Sequence, residues 1–418
     1  MGCLTRYKFV IGVSVAGSGV ILWYIYNKYF KTPLVCCFDK CLYKDITNNN
    51  TLIAENYSPE VHIQLGDKET SNEYSLKDLV KHSVGRFKTK NARKPTGIVI
   101  GDEECYDVFQ EIIDPVIKDL HAVNCFRRYE SVRFKDCDWR KIKAGRIVNK
   151  NVLSIVLSTS RNIAGCRFPC SLSNEERVEI AKELVAVLNC LPAHLHGAYT
   201  RLCNLSGRRQ DKLGLSQDYG LSRTIGPSPL PCVPENRPQL SHTNLNLFEK
   251  WNSPDGRVLW WTENRKCKVF INFLDHIKFV ISNTNGDLRQ AVREYMEILA
   301  EVEQILKRKQ HKEFAWSSKY GYLTSDLTDV GTGLHIEVKI RFKMVHKTEF
   351  FNRLMVTKQL NCSQCVDEKN TDTFIITNKN LIGTTEVDII QQVVDGITLL
   401  LETDKRLSRG EETKDIMP

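Results

Sequence analysis

Apolar residues alternate at Val269, Ile271 and Phe273 and recur at Ile277, Phe279 and Ile281. Alternation puts every second side chain on one face, so the stretch from Lys268 to Ser282 predicts two half-buried strands around a short polar turn. A different spacing follows from Asp287 to Lys309, where Leu288, Val292, Met296, Leu299, Val302 and Leu306 share one face of a long amphipathic helix. Ser173 with Glu176 forms a capping box ahead of a helix running to about Leu191, and Thr385 with Asp388 opens another, with Gly410 past its basic end. The segment Gly101 to His121 reads as a helix with Phe109, Ile112, Ile113, Val116, Ile117 and Leu120 on one side and a kink or break near Pro115. Further strands are expected at Leu334 to Phe342 and Phe374 to Thr377, and Cys203 to Ser241, rich in Pro, Gly and Ser, is expected to be loop.

One run breaks with both periodicities. Phe9 to Tyr26 carries no charge, is bracketed by Arg6, Lys8, Lys28 and Lys31, and ends in Trp23, Tyr24 and Tyr26. At about 1.5 Å per residue it spans roughly 27 Å, enough for a hydrocarbon core with aromatics at the interface. It predicts a single N-terminal transmembrane helix; a secretory signal and a cleaved mitochondrial presequence are the alternatives.

The 418 residues, 42% of them hydrophobic, supply ample core for one large domain or two. A net charge of +9 is mild for that length and argues against a dedicated nucleic-acid protein, while allowing contact with anionic lipid. The 15 cysteines are odd in number and scattered, which fits reduced thiols better than a disulfide framework. Cys362-x-x-Cys365 has no second CxxC, so no metal site is predicted. The linker between His121 and Val152 is strongly basic, which reads as a solvated surface or as a patch for anionic lipid or a protein partner.

Several stretches together resemble a known family. Gly101 to His121, GDEECYDVFQEIIDPVIKDLH, follows the Gly-Asp-Glu-Glu-x-Tyr-x-Val-Phe pattern of the ATP:guanidino phosphotransferases, or phosphagen kinases. PDGRVLW at Pro254 to Trp260 and VDIIQQVVDGITLL from Val387 resemble the same family, creatine kinase above all. Lys141-Ile142-Lys143-Ala144-Gly145, after an apolar, acid-free N-terminus, leans towards the mitochondrial type. The resemblance implies an α+β fold: a small all-α N-terminal domain, then a large domain with a mostly antiparallel sheet flanked by helices. The chain divides accordingly into a membrane anchor (1–30), the small helical domain (31–121), the basic linker (122–151) and the catalytic-like α/β domain (152–418).

The same resemblance implies a degenerate active site. Where the family carries Asn-Glu-Glu-Asp-His, with the acidic pair addressing the substrate guanidinium, this chain reads Asn272-Phe273-Leu274-Asp275-His276. The loop that would set guanidino specificity, Val84 to Pro95, is basic. Phosphoryl transfer needs cations and donors around spreading negative charge, and the family uses an arginine cradle. VLSIVLSTSRNIAG at Val152 to Gly165 matches the family's strand, with two phosphate arginines falling on Val156 and Ser158, while Ser154 and Arg161 survive. A third falls on Lys278, which keeps charge but loses the bidentate fork, and a fourth on His335, just past an intact Gly331-Thr332-Gly333. The reactive cysteine before that loop falls on Ser325, and Lys358 to Asp372 contains no arginine for the last cradle position.

The sequence therefore reads as a membrane-anchored phosphagen-kinase homologue, more a pseudoenzyme than an enzyme, acting as a binding or scaffold protein, with the mitochondrial membrane as favoured location. Phe273, Leu274 and Ser325 stand at lost catalytic positions, and Ser154, Lys278, Gly331, Gly333 and His335 at remnants of a nucleotide site. No cofactor or metal is expected. Family resemblance implies a homo-oligomer. An active ATP:guanidino phosphotransferase using Mg-ATP, and a nucleotide sensor, remain the alternatives.

Overall fold

Short helices opened by small polar residues build the N-terminal part. The computed structural model describes residues 39–81, 95–123, 126, 139–143, 150–202, 256–365 and 372–411. Helix α1 (Lys40–Thr47) starts at Asp39, whose carboxylate accepts from the N–H groups of Cys41 and Leu42. Helices α2 (Leu52–Asn56), α3 (Pro59–Leu65) and α4 (Leu76–Val80) open on Thr51, Ser58 and Ser75, each accepting one of the first-turn N–H groups. Gly101 to His121 forms two helices, α5 (Cys105–Val108) and α6 (Gln110–His121). The break falls at Phe109, and Pro115, where it was expected, stays inside α6. The missing N–H of Pro115 removes one ladder bond, and the buried row Ile112, Ile113, Val116, Ile117 and Leu120 holds the helix on the core across it.

The large domain then runs β1 (Val152–Arg161), α7 (Asn174–Leu188), β2 (Gly197–Arg201), β3 (Val258–Thr262), β4 (Cys267–Ile271), β5 (Ile277–Asn283) and α8 (Leu288–Ile305). After these come a small ribbon of β6 (Trp316–Ser317) with β7 (Gly321–Tyr322), then β8 (His335–Arg341), α9 (Glu349–Thr357), β9 (Leu360–Gln364), β10 (Thr373–Asn378) and α10 (Glu386–Leu407). Both expected caps form: Ser173 and Glu176 make a reciprocal capping box on α7, and Thr385 caps α10. Helix α7 ends three residues earlier than its apolar spacing suggests, ahead of Pro192, and α8 widens into a π-helical turn at Leu306–Gln310.

One 8-stranded sheet has the order β2-β3-β4-β5-β1-β8-β10-β9, and its described pairings are all antiparallel. The strands flanking the Lys268 to Ser282 turn are β4 and β5, in register from Ile271 opposite Ile277. They lie well inside the sheet, so both faces are largely covered and alternation marks which side each residue faces more than whether it is buried. Ile155, Leu157, Phe279, Ile281, Ile336 and Val338 join the large core under α8 and α10, while Val156, Ser158, Ser160, Lys278 and His335 stand on the opposite face.

The helical domain does not close its core alone. Phe168, Ala315, Tyr320, Leu323, Leu327, Val330 and Ile382 of the large domain complete it. The Tyr106 hydroxyl donates to the Thr324 carbonyl at 2.8 Å and His121 Nε2 lies 2.8 Å from the Leu327 carbonyl. Phe9 to Tyr26, the basic stretch 84–94, most of the linker 122–151 and the loop 203–241 lie outside the described residues; among those described, no helix is long and apolar enough to cross a membrane.

Candidate active site

The β4–β5 turn is held by side chains that bond to backbone. Asn272 takes a left-handed conformation (φ 55°), which Asn tolerates better than most residues, and its Nδ2 donates to the carbonyls of Arg177 (2.7 Å) and Gly256 (2.9 Å). His276 is fully buried: its Nδ1 accepts from the Ile163 N–H at 2.9 Å and its Nε2 donates to the Arg167 carbonyl at 2.9 Å. These partners define the neutral ring, and burial pushes its pKa down to about 3. Asn162, at the end of β1, accepts from the His276 N–H (2.9 Å) and donates to Asp275 Oδ1 (2.7 Å). Asp275 Oδ1 also accepts from the Ser325 N–H at 2.7 Å, and the Ser325 carbonyl accepts from Ile100, so the turn is tied through this loop to the helical domain.

Between those anchors sit the two residues at the acidic positions. Phe273 is 0% exposed and packs edge-on against Phe270, with ring centroids 5.2 Å apart; Leu274 is 6% exposed and clusters with Val99 and Cys170. Asp275 is the acid that remains, and its Oδ2 completes no hydrogen bond among the described residues. Burial, with the charge of Asp329, pushes its pKa up to about 6 against the two N–H donors on Oδ1.

The phosphate positions come together on the face of the sheet opposite the large core. Ser158 on β1 stands across from His335 on β8, and Ser160 across from Lys278 on β5. Ser154 lies further along, opposite Lys339. Asp329, which the sequence reading did not single out, organises this corner: its Oδ1 meets His335 Nε2 at 2.8 Å and its Oδ2 accepts from Ser160 Oγ at 2.9 Å. Burial opposes its ionisation, but the charges of His335 and Lys278 and both hydrogen bonds hold its carboxyl well below the usual range. Lys278 and His335 thus both face the Asp329 carboxylate. An ATP phosphate needs uncompensated donors there, and this set fits one poorly, because Val156 and Ser158 add no charge, the Asp329 carboxylate engages His335 directly and it opposes the charge of Lys278.

The glycine loop has structural work of its own. Gly331 has φ 107° and an added Cβ would lie 2.2 Å from the Leu381 carbonyl; Gly333 has φ 63° and its Cβ would fall 2.9 Å from Arg161 Nη1. The Thr332 carbonyl between them accepts from Arg161 Nη1 at 2.9 Å. Arg161, 1% exposed, also bonds Thr159 and the Ser160 carbonyl, stacks on Tyr322 at 3.6 Å and faces Glu386 at 3.6 Å. It clasps the loop from inside the protein.

Known proteins share this architecture. The ATP:guanido phosphotransferase C-terminal catalytic domain matches residues 179–407, and the ATP:guanido phosphotransferase N-terminal domain matches residues 47–118. The chain belongs to the ATP:guanido phosphotransferase family. Creatine kinase M-type of Canis lupus familiaris is 28% identical over 387 residues, covering 90% of this chain and 94% of that protein. Creatine kinase B-type of Gallus gallus is 29% identical with the same coverage. The flagellar creatine kinase of Strongylocentrotus purpuratus is 29% identical over 384 residues, and the chain spans 31% of its length. Among solved structures, a lombricine kinase superposes with a TM-score of 0.74 at 24% identity, over 90% of this chain and 97% of that one. The substrate-free duplicated taurocyamine kinase from Schistosoma mansoni gives 0.73 at 19% identity, over 91% of this chain and 51% of that one. These likenesses show the phosphagen-kinase fold: a small helical domain and an antiparallel-sheet domain with helices.

Proposed function

We propose that this ATP:guanido phosphotransferase homologue has lost phosphoryl transfer and acts by binding, as a scaffold or partner-docking protein. The observation that carries the reading is a pair of changes at the positions that the family uses for its two substrates. Phe273 and Leu274 fill the acidic positions with packed apolar side chains, and the Asp329 carboxylate occupies His335 and opposes the charge of Lys278 at the phosphate positions. A positioned base contributes about 10²- to 10⁴-fold and a phosphate-stabilising arginine about 10³- to 10⁵-fold, so a modest share of either loss removes useful turnover. The uncharged run Phe9 to Tyr26 supports a membrane anchor on the mitochondrial membrane, with the basic linker beside anionic lipid.

The names of the relatives carry the competing reading, an active creatine kinase-like phosphotransferase. Purified protein incubated with Mg-ATP and a panel of guanidino compounds separates the two. No phosphagen should form, and millimolar Mg-ATP should leave the melting temperature unchanged. Phosphagen formation abolished by Lys278→Ala establishes the enzyme; a clear shift at micromolar ATP without turnover establishes a nucleotide sensor. Carbonate extraction of cells expressing the full chain tests the anchor, which release into the supernatant would refute.

A further inference from the structure

Behind the sheet, far along the chain from the cleft loops, a lysine and a cysteine meet. Lys309 Nζ lies 2.9 Å from Cys190 Sγ across a sequence separation of 119 residues. Cys190 follows the end of α7, where its N–H is bonded to the Val187 carbonyl and the adjacent Leu191 is buried. Lys309 belongs to the π-helical turn after α8, anchored by buried Leu306. Both side chains thus spring from fixed backbone. Neighbouring lysines are taken up by carboxylates, Lys307 by Glu313 and Lys312 by Glu183 at 2.6 Å, whereas Lys309 makes no ion pair among the described residues and points at the thiol.

Solvent reaches this pair more readily than it reaches the buried thiols. Lys309 is exposed and Cys190 half-buried, while Cys105 and Cys267 are buried. Burial pushes the thiols of Cys105, Cys170, Cys267 and Cys362 upward and away from the reactive thiolate.

We propose that Cys190 and Lys309 are a modification site that closes into a sulfenamide crosslink when a peroxide oxidises the thiol. In the first step the peroxide O–O bond breaks: one oxygen ends on sulfur as a sulfenic acid, the other leaves as water, and sulfur loses the two electrons that peroxide gains. The Lys309 ammonium gives one proton to solvent and its amine attacks the sulfenyl sulfur. The S–O bond breaks, hydroxide leaves as water with a second amine proton, and an S–N bond joins the two side chains. Relative to the neutral thiol and amine, the protein ends two hydrogens lighter, and a thiol reductant reverses the link. The two side chains are already in contact at 2.9 Å, so once the thiol is oxidised the amine competes well with water and free thiols for the sulfur.

The test treats the full chain with stoichiometric hydrogen peroxide, digests it and maps peptides by mass. The expected product is a peptide pair joined at Cys190 and Lys309, two hydrogens lighter than its parts, lost on treatment with dithiothreitol. It should vanish in Cys190→Ser and in Lys309→Arg, which keeps the charge and removes the amine nucleophile. A link spanning 119 residues restricts the unfolded chain, so the oxidised parent should melt above the reduced parent while neither variant responds. Sulfinic or sulfonic acid at Cys190 with a Lys309 amine still open to acylation overturns the proposal, as does a crosslink that persists in Lys309→Arg.

Discussion

The β4–β5 turn and the Asp329 corner have departed from the family pattern in opposite ways. In the turn, the residues that match the family, Asn272, Asp275 and His276, are the ones whose side chains bond backbone, and the cleft positions between them have become apolar. In the corner, Lys278 and His335 stand where the resemblance places arginines, and the Asp329 carboxylate, bonded to His335 and Ser160, lies against them. The contrast teaches that a motif has two layers, one that folds the turn and one that meets a ligand, and that survival of the first says little about the second.

The sharpest way to break this comparison is to restore the acids. Phe273→Glu with Leu274→Glu should lower stability by about 3 kcal/mol or more, because two carboxylates enter an apolar site without partners. It should yield no phosphagen, since Arg remains absent at 156, 158 and 335. Urea denaturation and a coupled assay read both; a stable, active double variant would show that the turn still faces a working cleft. Next in size, His276→Ala should cost about 3 kcal/mol by leaving the Ile163 N–H and the Arg167 carbonyl unpaired and a cavity behind. A near-neutral result would mean that the histidine survives for a reason other than folding.

The third test is pH-dependent and smaller. Asp275 has its carboxyl raised from 3.8 to about 6, so the folded state holds its proton more tightly; the stability this contributes is fully present below about 3.8 and is lost as pH rises through about 6. His276, depressed from 6.5 to about 3, works the other way: its contribution is present above 6.5 and is lost as pH falls towards 3. The two overlap, so the parent must be compared with Asp275→Asn. Relative to that variant the parent should gain up to about 3 kcal/mol between pH 7 and pH 4, because a tenfold change in proton affinity is worth roughly 1.4 kcal/mol. Parallel pH profiles from chemical denaturation would show that Asp275 is not a buried, under-bonded acid.

Much of the fold was legible in local pattern. Alternation around residues 268–282 located β4 and β5, and Ser173 with Glu176 and Thr385 with Asp388 located the starts of α7 and α10, because strand periodicity and capping depend on residues a few positions apart. The break at Phe109 escaped, since Pro115 is the louder signal and packing of the neighbouring apolar row overrides it. Asp329 escaped for a deeper reason. It is one acid in a loop, and its meaning depends on Ser160, 169 residues away in sequence, and on a lysine brought alongside by strand pairing. Family resemblance assigned positions to the cradle but carried no information about a residue arriving from outside it.

The shared core of the two domains has a further consequence for how the molecule comes apart. Large-domain residues such as Tyr320, Leu327 and Ile382 lie inside the helical domain's apolar cluster, and Tyr106 and His121 reach back to the large domain's backbone. Opening that boundary exposes the interior of one unit, so the domains cannot swing apart as rigid lobes without partial denaturation. Heat or denaturant should dismantle both in a single cooperative step, and a partner that holds either half lends its binding energy to the other.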